Sequence, residues 1–239
     1  NVGPLLDPMQ CPKAIEQNLI DDLPQKLAPV SEALRLTKSN LSTETALIGF
    51  AGAPWTVMTY MVEGGSSRDF TITREWAWKY PKQVDALLGS LIESTISFLS
   101  LQASAGADAL MLFDSWASAV PAAQRNWLVT QPARLIIEEL RKNGHKQPVI
   151  GFPKGIGEGL ITYVDQSGVD AVGLDHGVDP VWVDRNLPQN FPVQGNLDPL
   201  SLLQAGPEMF RDIDHILDAF ASRPHIFNLG HGITPPTPT

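Results

Sequence analysis

The amino-acid sequence predicts an α/β fold: a truncated (β/α)8 TIM-like barrel with about six of its eight strands within the 239 residues. Short apolar segments alternate with helical patterns along the chain, which is the order of repeated β-α units. These segments lack strict apolar–polar alternation, so they fit strands buried on both faces of a parallel sheet. Polar residues follow nearly every strand, and polar strand ends on one face favour a barrel over a doubly wound sheet.

Six strands are predicted, at residues 46–50, 109–113, 148–152, 171–174, 192–194 and 225–229. The clearest helical pattern begins at Pro81, where apolar residues recur every three or four positions, and it ends before Gly106. Weaker helical patterns cover residues 12–38, 121–143, 157–166, 180–187 and 200–221, with breaks expected at Pro24, Pro29, Pro132 and Gly206-Pro207. Residues 1–239 are therefore expected to form a single incomplete barrel domain.

The composition excludes several classes of protein. Hydrophobic residues make up 43% and charged residues 18%, as in a soluble globular protein, and no apolar run approaches the ~20 residues of a membrane helix. A net charge of −9 argues against a nucleic-acid partner and requires local positive charge in any site for a polyanionic substrate. The single cysteine, Cys11, excludes an internal disulfide and a multi-cysteine metal site, and favours a cytoplasmic setting.

Residues 48–65 form the most informative segment of the sequence. A short strand runs into a Gly-Ala-Pro turn, which is followed by Trp55, Thr56, Thr59 and Tyr60 and then by a Gly-Gly pair. Small residues allow close approach of the backbone to a ligand, and ligand sites of α/β folds lie just past strand ends. Considered alone, however, the segment is explained slightly better as a tight turn with a core tyrosine.

Three further segments follow it: Leu-Phe-Asp-Ser at 112–115, Gln-Gly-Asn-Leu-Asp-Pro at 194–199 and Asn-Leu-Gly-His-Gly at 228–232. The four segments, in this order, resemble the uroporphyrinogen decarboxylase family from about residue 2 to the end of the chain. The resemblance implies a (β/α)8 barrel whose first two strands precede this sequence. It also implies a homodimer that removes the four acetate carboxyl groups of uroporphyrinogen III, without cofactor or metal, to give coproporphyrinogen III in haem biosynthesis.

The resemblance identifies three residues as substrate contacts: Tyr60, Ser115 and His231. A phenol offers a donor and a flat apolar body to a pyrrole macrocycle, whereas a hydroxyl or an imidazole can donate to a carboxylate. From the residues alone, Tyr60 could equally be a core tyrosine and Ser115 a helix cap. His231 lies between two glycines at a strand end, which is not a typical core position. A serine hydrolase is disfavoured because no Gly-x-Ser-x-Gly elbow is present.

Arg68 and Lys154 are secondary candidates, since either could offset substrate carboxylates, although a surface salt bridge is the ordinary interpretation of each. Asp198 is expected to shape a turn or to cap the helix that begins near Leu200. No His-x-Glu or paired-cysteine spacing for zinc occurs. This argues against the cobalamin-dependent methyltransferases, which share the fold but use zinc-bound cysteines.

The resemblance also predicts what the 239 residues lack. In the family, an aspartate that faces the pyrrole N–H groups and a pair of arginines lie in the first quarter of the chain, which has no counterpart here. The catalytic residues are therefore unknown within this sequence, and the chain alone is expected to hold half a site and to be inactive. The alternative is a truncated homologue without activity, or a remnant that binds porphyrinogens.

Overall fold

The computed structural model describes residues 7–65 and 67–238, and its six strands form one parallel sheet in chain order. The strands are β1 (Ile48–Gly52), β2 (Ala109–Asp114), β3 (Val149–Pro153), β4 (Ala171–Gly173), β5 (Val193–Gln194) and β6 (His225–Ile226). The predicted number, order and parallel arrangement of the strands are confirmed. The sixth strand is shorter than predicted, and β1 begins and ends two residues later than its apolar run suggested.

Helices follow the strands and also precede β1. The α-helices of the described residues are α1 (Gln17–Asp21), α2 (Leu23–Lys26), α3 (Ala28–Asn40), α4 (Pro54–Glu63), α5 (Thr71–Lys79), α6 (Pro81–Ser104), α7 (Ala122–Arg125), α8 (Gln131–Lys142), α9 (Gly159–Ser167), α10 (Pro180–Asn186), α11 (Pro199–Gln204) and α12 (Pro207–Ala219). A 3-10 turn at Ala117–Ala119 precedes α7, and a π-helical turn at Asn126–Thr130 joins α7 to α8.

The expected breaks at Pro24 and Pro29 are confirmed, since α1 ends at Asp21 and α2 at Lys26, and a new helix begins one residue before each proline. Both residues lie in the first turn of a helix, α2 and α3 respectively, and Pro132 does the same in α8. A first-turn proline costs no hydrogen bond because the N–H groups there have no partner within the helix. Residues 54–63, which begin at the proline of the predicted Gly-Ala-Pro turn, form α4, with Pro54 in its first turn and Gly64 in the left-handed conformation (φ 71°) at its end.

Alternate residues of the strands face opposite sides of the sheet. Leu110 and Leu112 of β2 belong to the main core between sheet and helices, whereas Met111 belongs to a second, inner cluster with Ile150 and Phe152. The inner cluster corresponds to the interior of a barrel. Three aromatic rings cross this inner face edge to face, with Phe113 5.8 Å from Phe50 and 5.7 Å from Phe152 between ring centroids.

The sheet is open, because β1 and β6 are its two edges among the described residues. Phe50 of β1, although it belongs to the inner face, is 60% exposed. The backbone of Phe50 is nevertheless satisfied by a side chain: its N–H donates to Gln102 Oε1 over 2.9 Å, and Gln102 Nε2 donates to its carbonyl over 2.8 Å. The predicted truncated barrel with six strands is therefore what the structure contains.

The expectation that no segment has the length and composition of a membrane helix is wrong for α6. This 24-residue helix is long and apolar enough, by those two measures alone, to cross a membrane. Its Val84, Leu87 and Leu99 are fully buried in the main core. The long apolar run is thus explained by a helix that packs on the sheet along one side.

Candidate active site

A cavity of about 310 Å³ opens at the carboxyl ends of the strands. This is the end of a barrel at which ligand chemistry is found. The cavity has an apolar wall and a few polar groups, as ligand sites commonly do. Its lining residues are Met111, Phe113, Ser115, Phe152, Gly173, Leu174, Gln194, Asn228, Leu229, His231, Gly232 and Ile233.

Two of the three predicted substrate contacts, Ser115 and His231, line this cavity. They are 116 positions apart in the sequence and meet because Ser115 directly follows β2 and His231 lies two residues after the bridge at Leu229. The N–H of Gly232 donates to Nδ1 of His231 over 2.6 Å, so the neutral ring carries its proton on Nε2. The site can therefore present a hydroxyl and an imidazole N–H to one ligand.

The surroundings of His231 lower the pKa of its imidazole. Burial is the largest cause, and the positive charge of Lys154 acts in the same direction, against smaller opposing effects that include the carboxylate of Asp175. Gly230 permits this crowding, since a Cβ at that position would lie 2.3 Å from the backbone nitrogen of His176. The effect is to favour the neutral ring, which donates from Nε2 and can also take up a proton.

Tyr60 lies at the rim of the site and not among the residues that line the cavity. It belongs to the last turn of α4, is 41% exposed and meets the ring of Trp116 edge to face at 6.3 Å. Trp116 directly follows Ser115, so Tyr60 stands close to the cavity mouth. The interpretation of Tyr60 as a core residue is therefore wrong, because a core tyrosine would be buried.

Asp114, at the end of β2, is a feature whose importance the sequence did not reveal. The side chain is 2% exposed, and its Oδ1 accepts a 2.6 Å hydrogen bond from the hydroxyl of Thr56. The same hydroxyl accepts from the N–H of Trp116 over 3.2 Å, which joins β2 to α4. Burial raises the pKa of Asp114 to about 7, and the hydrogen bonds of Thr56 only partly offset it. The adjacent serine marked this position, but nothing in the sequence showed its burial.

The secondary candidates separate in the structure. Lys154 directly follows β3, and its Nζ lies 6.0 Å from the ring centroid of Trp116, on the same rim as Tyr60. Arg68 is exposed in the loop before α5 and does not line the cavity. Neither forms an ion pair with another residue of the described ranges. The expected cap is confirmed, since Asp198 accepts a 2.9 Å hydrogen bond from the N–H of Leu200 at the start of α11.

Asp175 has an architectural position behind the cavity. Its two carboxylate oxygens accept hydrogen bonds from the N–H groups of Gly155 at 2.8 Å and Gly177 at 2.9 Å, which ties the loop after β3 to the loop after β4. Within residues 7–65 and 67–238, no group of three or more His, Cys, Asp or Glu side chains is arranged to hold a metal ion.

A larger groove, of about 1030 Å³, lies on the outer helical surface and not at the strand ends. Its lining mixes both signs of charge, with Arg35 and Lys142 beside Glu93 and Glu138. None of the residues that carry the four sequence motifs lines this groove. We therefore assign the candidate site to the cavity at the strand ends.

Comparison with known proteins agrees with this assignment. The family model described as Uroporphyrinogen decarboxylase (URO-D) matches residues 1–239. The uroporphyrinogen decarboxylase of Novosphingobium aromaticivorans is 48% identical over 237 residues, which cover 99% of this chain and 69% of that protein. The enzymes of the same name from Sphingopyxis alaskensis and Maricaulis maris are 46% and 44% identical over 236 residues, with 99% of this chain and 68% of each relative covered.

A solved structure, a methyltransferase from Methanosarcina mazei, has a TM-score of 0.77 over 96% of this chain and 67% of its own. At 16% identity this likeness establishes the fold alone. The sequence relatives establish more, because they are 44–48% identical over 99% of the chain and the family model matches residues 1–239. The chain belongs to the uroporphyrinogen decarboxylase family.

Proposed function

We propose that the protein catalyses the cofactor-independent decarboxylation of the four acetate side chains of uroporphyrinogen III to give coproporphyrinogen III, a step of haem biosynthesis. It is thus a carboxy-lyase. The observation that carries the proposal is the convergence of Ser115 and His231 on one cavity at the strand ends, with Tyr60 and Lys154 at its rim. Membership of the family supplies the reaction.

In this reaction a proton adds to a pyrrole carbon, and the ring then accepts the electron pair of the acetate C–C bond as CO2 leaves. The resulting methylene carbon is protonated to a methyl group, and loss of the first proton restores the pyrrole. Ser115 and Nε2 of His231 suit hydrogen bonds to substrate carboxylates, and Tyr60 suits contact with the edge of the macrocycle. The apolar wall formed by Met111, Phe113 and Phe152 suits the faces of the pyrrole rings.

The electrostatics of the cavity remove a difficulty raised by the overall charge of −9. Asp and Glu are absent from the residues that line the cavity within the described part of the chain. Lys154 instead places positive charge near His231. A substrate with many carboxylates therefore meets a locally favourable surface on a negatively charged protein.

The function is tested by comparing the 239-residue chain with the full reading frame that contains it. We expect the full frame to convert uroporphyrinogen III to coproporphyrinogen III under anaerobic conditions, and the 239 residues alone to show no turnover. The reason is that the inner face of β1 is open at Phe50, where the family's aspartate and arginines would complete the site. Parental turnover by the 239 residues would contradict the half-site proposal, and no turnover by the full frame would overturn the enzyme assignment.

Replacing His231 with asparagine should lower kcat/KM roughly 10- to 100-fold, the value of one hydrogen bond to a charged group. Steady-state kinetics of the full protein measure this effect. His215→Asn is the matched control, because His215 is exposed on α12 and does not line the cavity. Equal kinetics for the two variants would remove His231 from the substrate contacts.

The proposal extends to the homodimer that the family resemblance implies and to a cytoplasmic location. The location is supported by the single cysteine, Cys11, which is exposed and has no partner for an internal disulfide. Sedimentation of the full protein would test the dimer.

A further inference from the structure

Gln194 is a buried polar residue that the assigned substrate contacts leave unexplained. It ends β5, is 6% exposed and lines the cavity. Its side-chain oxygen Oε1 is buried and has no hydrogen-bond partner among the described residues. An unpaired buried carbonyl costs free energy in the folded protein, so a group held this way calls for a reason.

The sheet register explains why this side chain faces the cavity. Val193 pairs with Val172, and both belong to the main core on the helical side of the sheet. The next pair, Gln194 and Gly173, therefore faces the inner side. Gly173 has no side chain there, and an added Cβ would lie 2.7 Å from the ring of Phe152. Gly173 thus leaves room for the ring of Phe152, which lines the same cavity as Gln194.

Gln102 shows what a structural glutamine does in the same protein. It is 3% exposed, and both ends of its amide are paired with the backbone of Phe50. The Oε1 of Gln194, in contrast, accepts no hydrogen bond from the described residues. The two buried glutamines differ in that one completes the fold and the other leaves an acceptor beside a cavity.

We propose that Gln194 is a further substrate-positioning residue, whose side-chain carbonyl accepts a hydrogen bond from a pyrrole N–H of the substrate. This proposal rests on the proposed decarboxylase function. A porphyrinogen is fully reduced, so each of its ring nitrogens carries a proton and is a donor. Gln194 lies within the sheet, in register with Gly173, whereas Ser115 follows β2 and His231 follows the last bridge. The acceptor therefore lies deeper than the groups suited to the carboxylates, as a macrocycle with central N–H groups and peripheral carboxylates requires.

The test uses Gln194→Met in the full protein, with kinetics on uroporphyrinogen III and the Tm of the ligand-free protein. Methionine keeps the length of the side chain and removes the acceptor. We expect KM to rise about three- to tenfold, the value of one uncharged hydrogen bond, with kcat changed less than twofold and Tm unchanged or higher. The Tm increase produced by added coproporphyrinogen III should also shrink.

The matched control is Gln124→Met, since Gln124 is 8% exposed and also has an unpaired buried Oε1, but belongs to α7 and does not line the cavity. Its KM should equal that of the parent. A parental KM for Gln194→Met would overturn the proposal, as would a Tm loss of several degrees, which would indicate a structural role. If the unmodified full protein shows no turnover, this result is seen before any variant is compared. It would overturn the proposed function and this inference with it.

Discussion

Replacing Gly230 with alanine should lower the Tm of the protein by roughly 10 °C and remove His231 from the cavity. An added Cβ would lie 2.3 Å from the nitrogen, 2.8 Å from the Cα of His176 and 2.9 Å from the carbonyl carbon of Asp175. These are backbone atoms, so no side chain can rotate away, and the loop after β6 must separate from the loop after β4. Overpacking of this kind costs about 3 kcal/mol or more, which corresponds to the stated Tm change for a domain of this size.

Gly232→Ala is the control for this prediction, because nothing lies within 4 Å of a Cβ at that position. Its Tm should stay within about 2 °C of the parent, as for most surface substitutions. Thermal unfolding of both variants measures the difference. If the two alanines destabilise the protein equally, contact between these loops does not hold His231 in place.

Replacing Asp114 with asparagine should make the protein more stable above neutral pH. Burial raises the pKa of this carboxyl to about 7 from an ordinary value of 3.8, so the folded protein holds the proton more tightly than the unfolded chain. The neutral carboxyl contributes its full stabilisation of the fold below the pKa that Asp114 has in the unfolded chain. This stabilisation is lost as the pH rises through about 7. Asparagine stays neutral throughout and keeps an acceptor for Thr56.

Each unit of pKa shift corresponds to ~1.4 kcal/mol. The free energy of unfolding of the asparagine variant should therefore exceed that of the parent by up to about 4 kcal/mol at pH 8, and this difference should vanish near pH 4. Urea unfolding of parent and variant between these limits measures it, and the difference between the two cancels all other titrating groups. Asp175→Asn should instead be destabilising at every pH, because an NH2 group would face the N–H of Gly155 or Gly177. A pH-independent difference between parent and Asp114→Asn would show that Asp114 does not titrate in this range.

The alternation of strands and helices was readable from the sequence because short apolar runs and helical periodicity are local properties. The helix breaks near Pro24 and Pro29 were also readable, because each proline lies in the first turn of the helix that follows the break. The cavity position of Ser115 and His231 followed from the rule that strand ends converge, together with the family motifs. The buried state of Asp114 and the unpaired oxygen of Gln194 could not be predicted, because both depend on side chains brought together by distant parts of the chain.

The pairing of Gln102 with Phe50 has a consequence for association between molecules. A free sheet edge offers unpaired N–H and C=O groups to strands of other copies, and proteins commonly protect such edges. At the middle of β1 these groups are already engaged by the glutamine amide, which takes the place of a neighbouring peptide group. Any strand that pairs regularly with β1, whether from this protein or from another copy, must first displace the side chain of Gln102 from the backbone of Phe50.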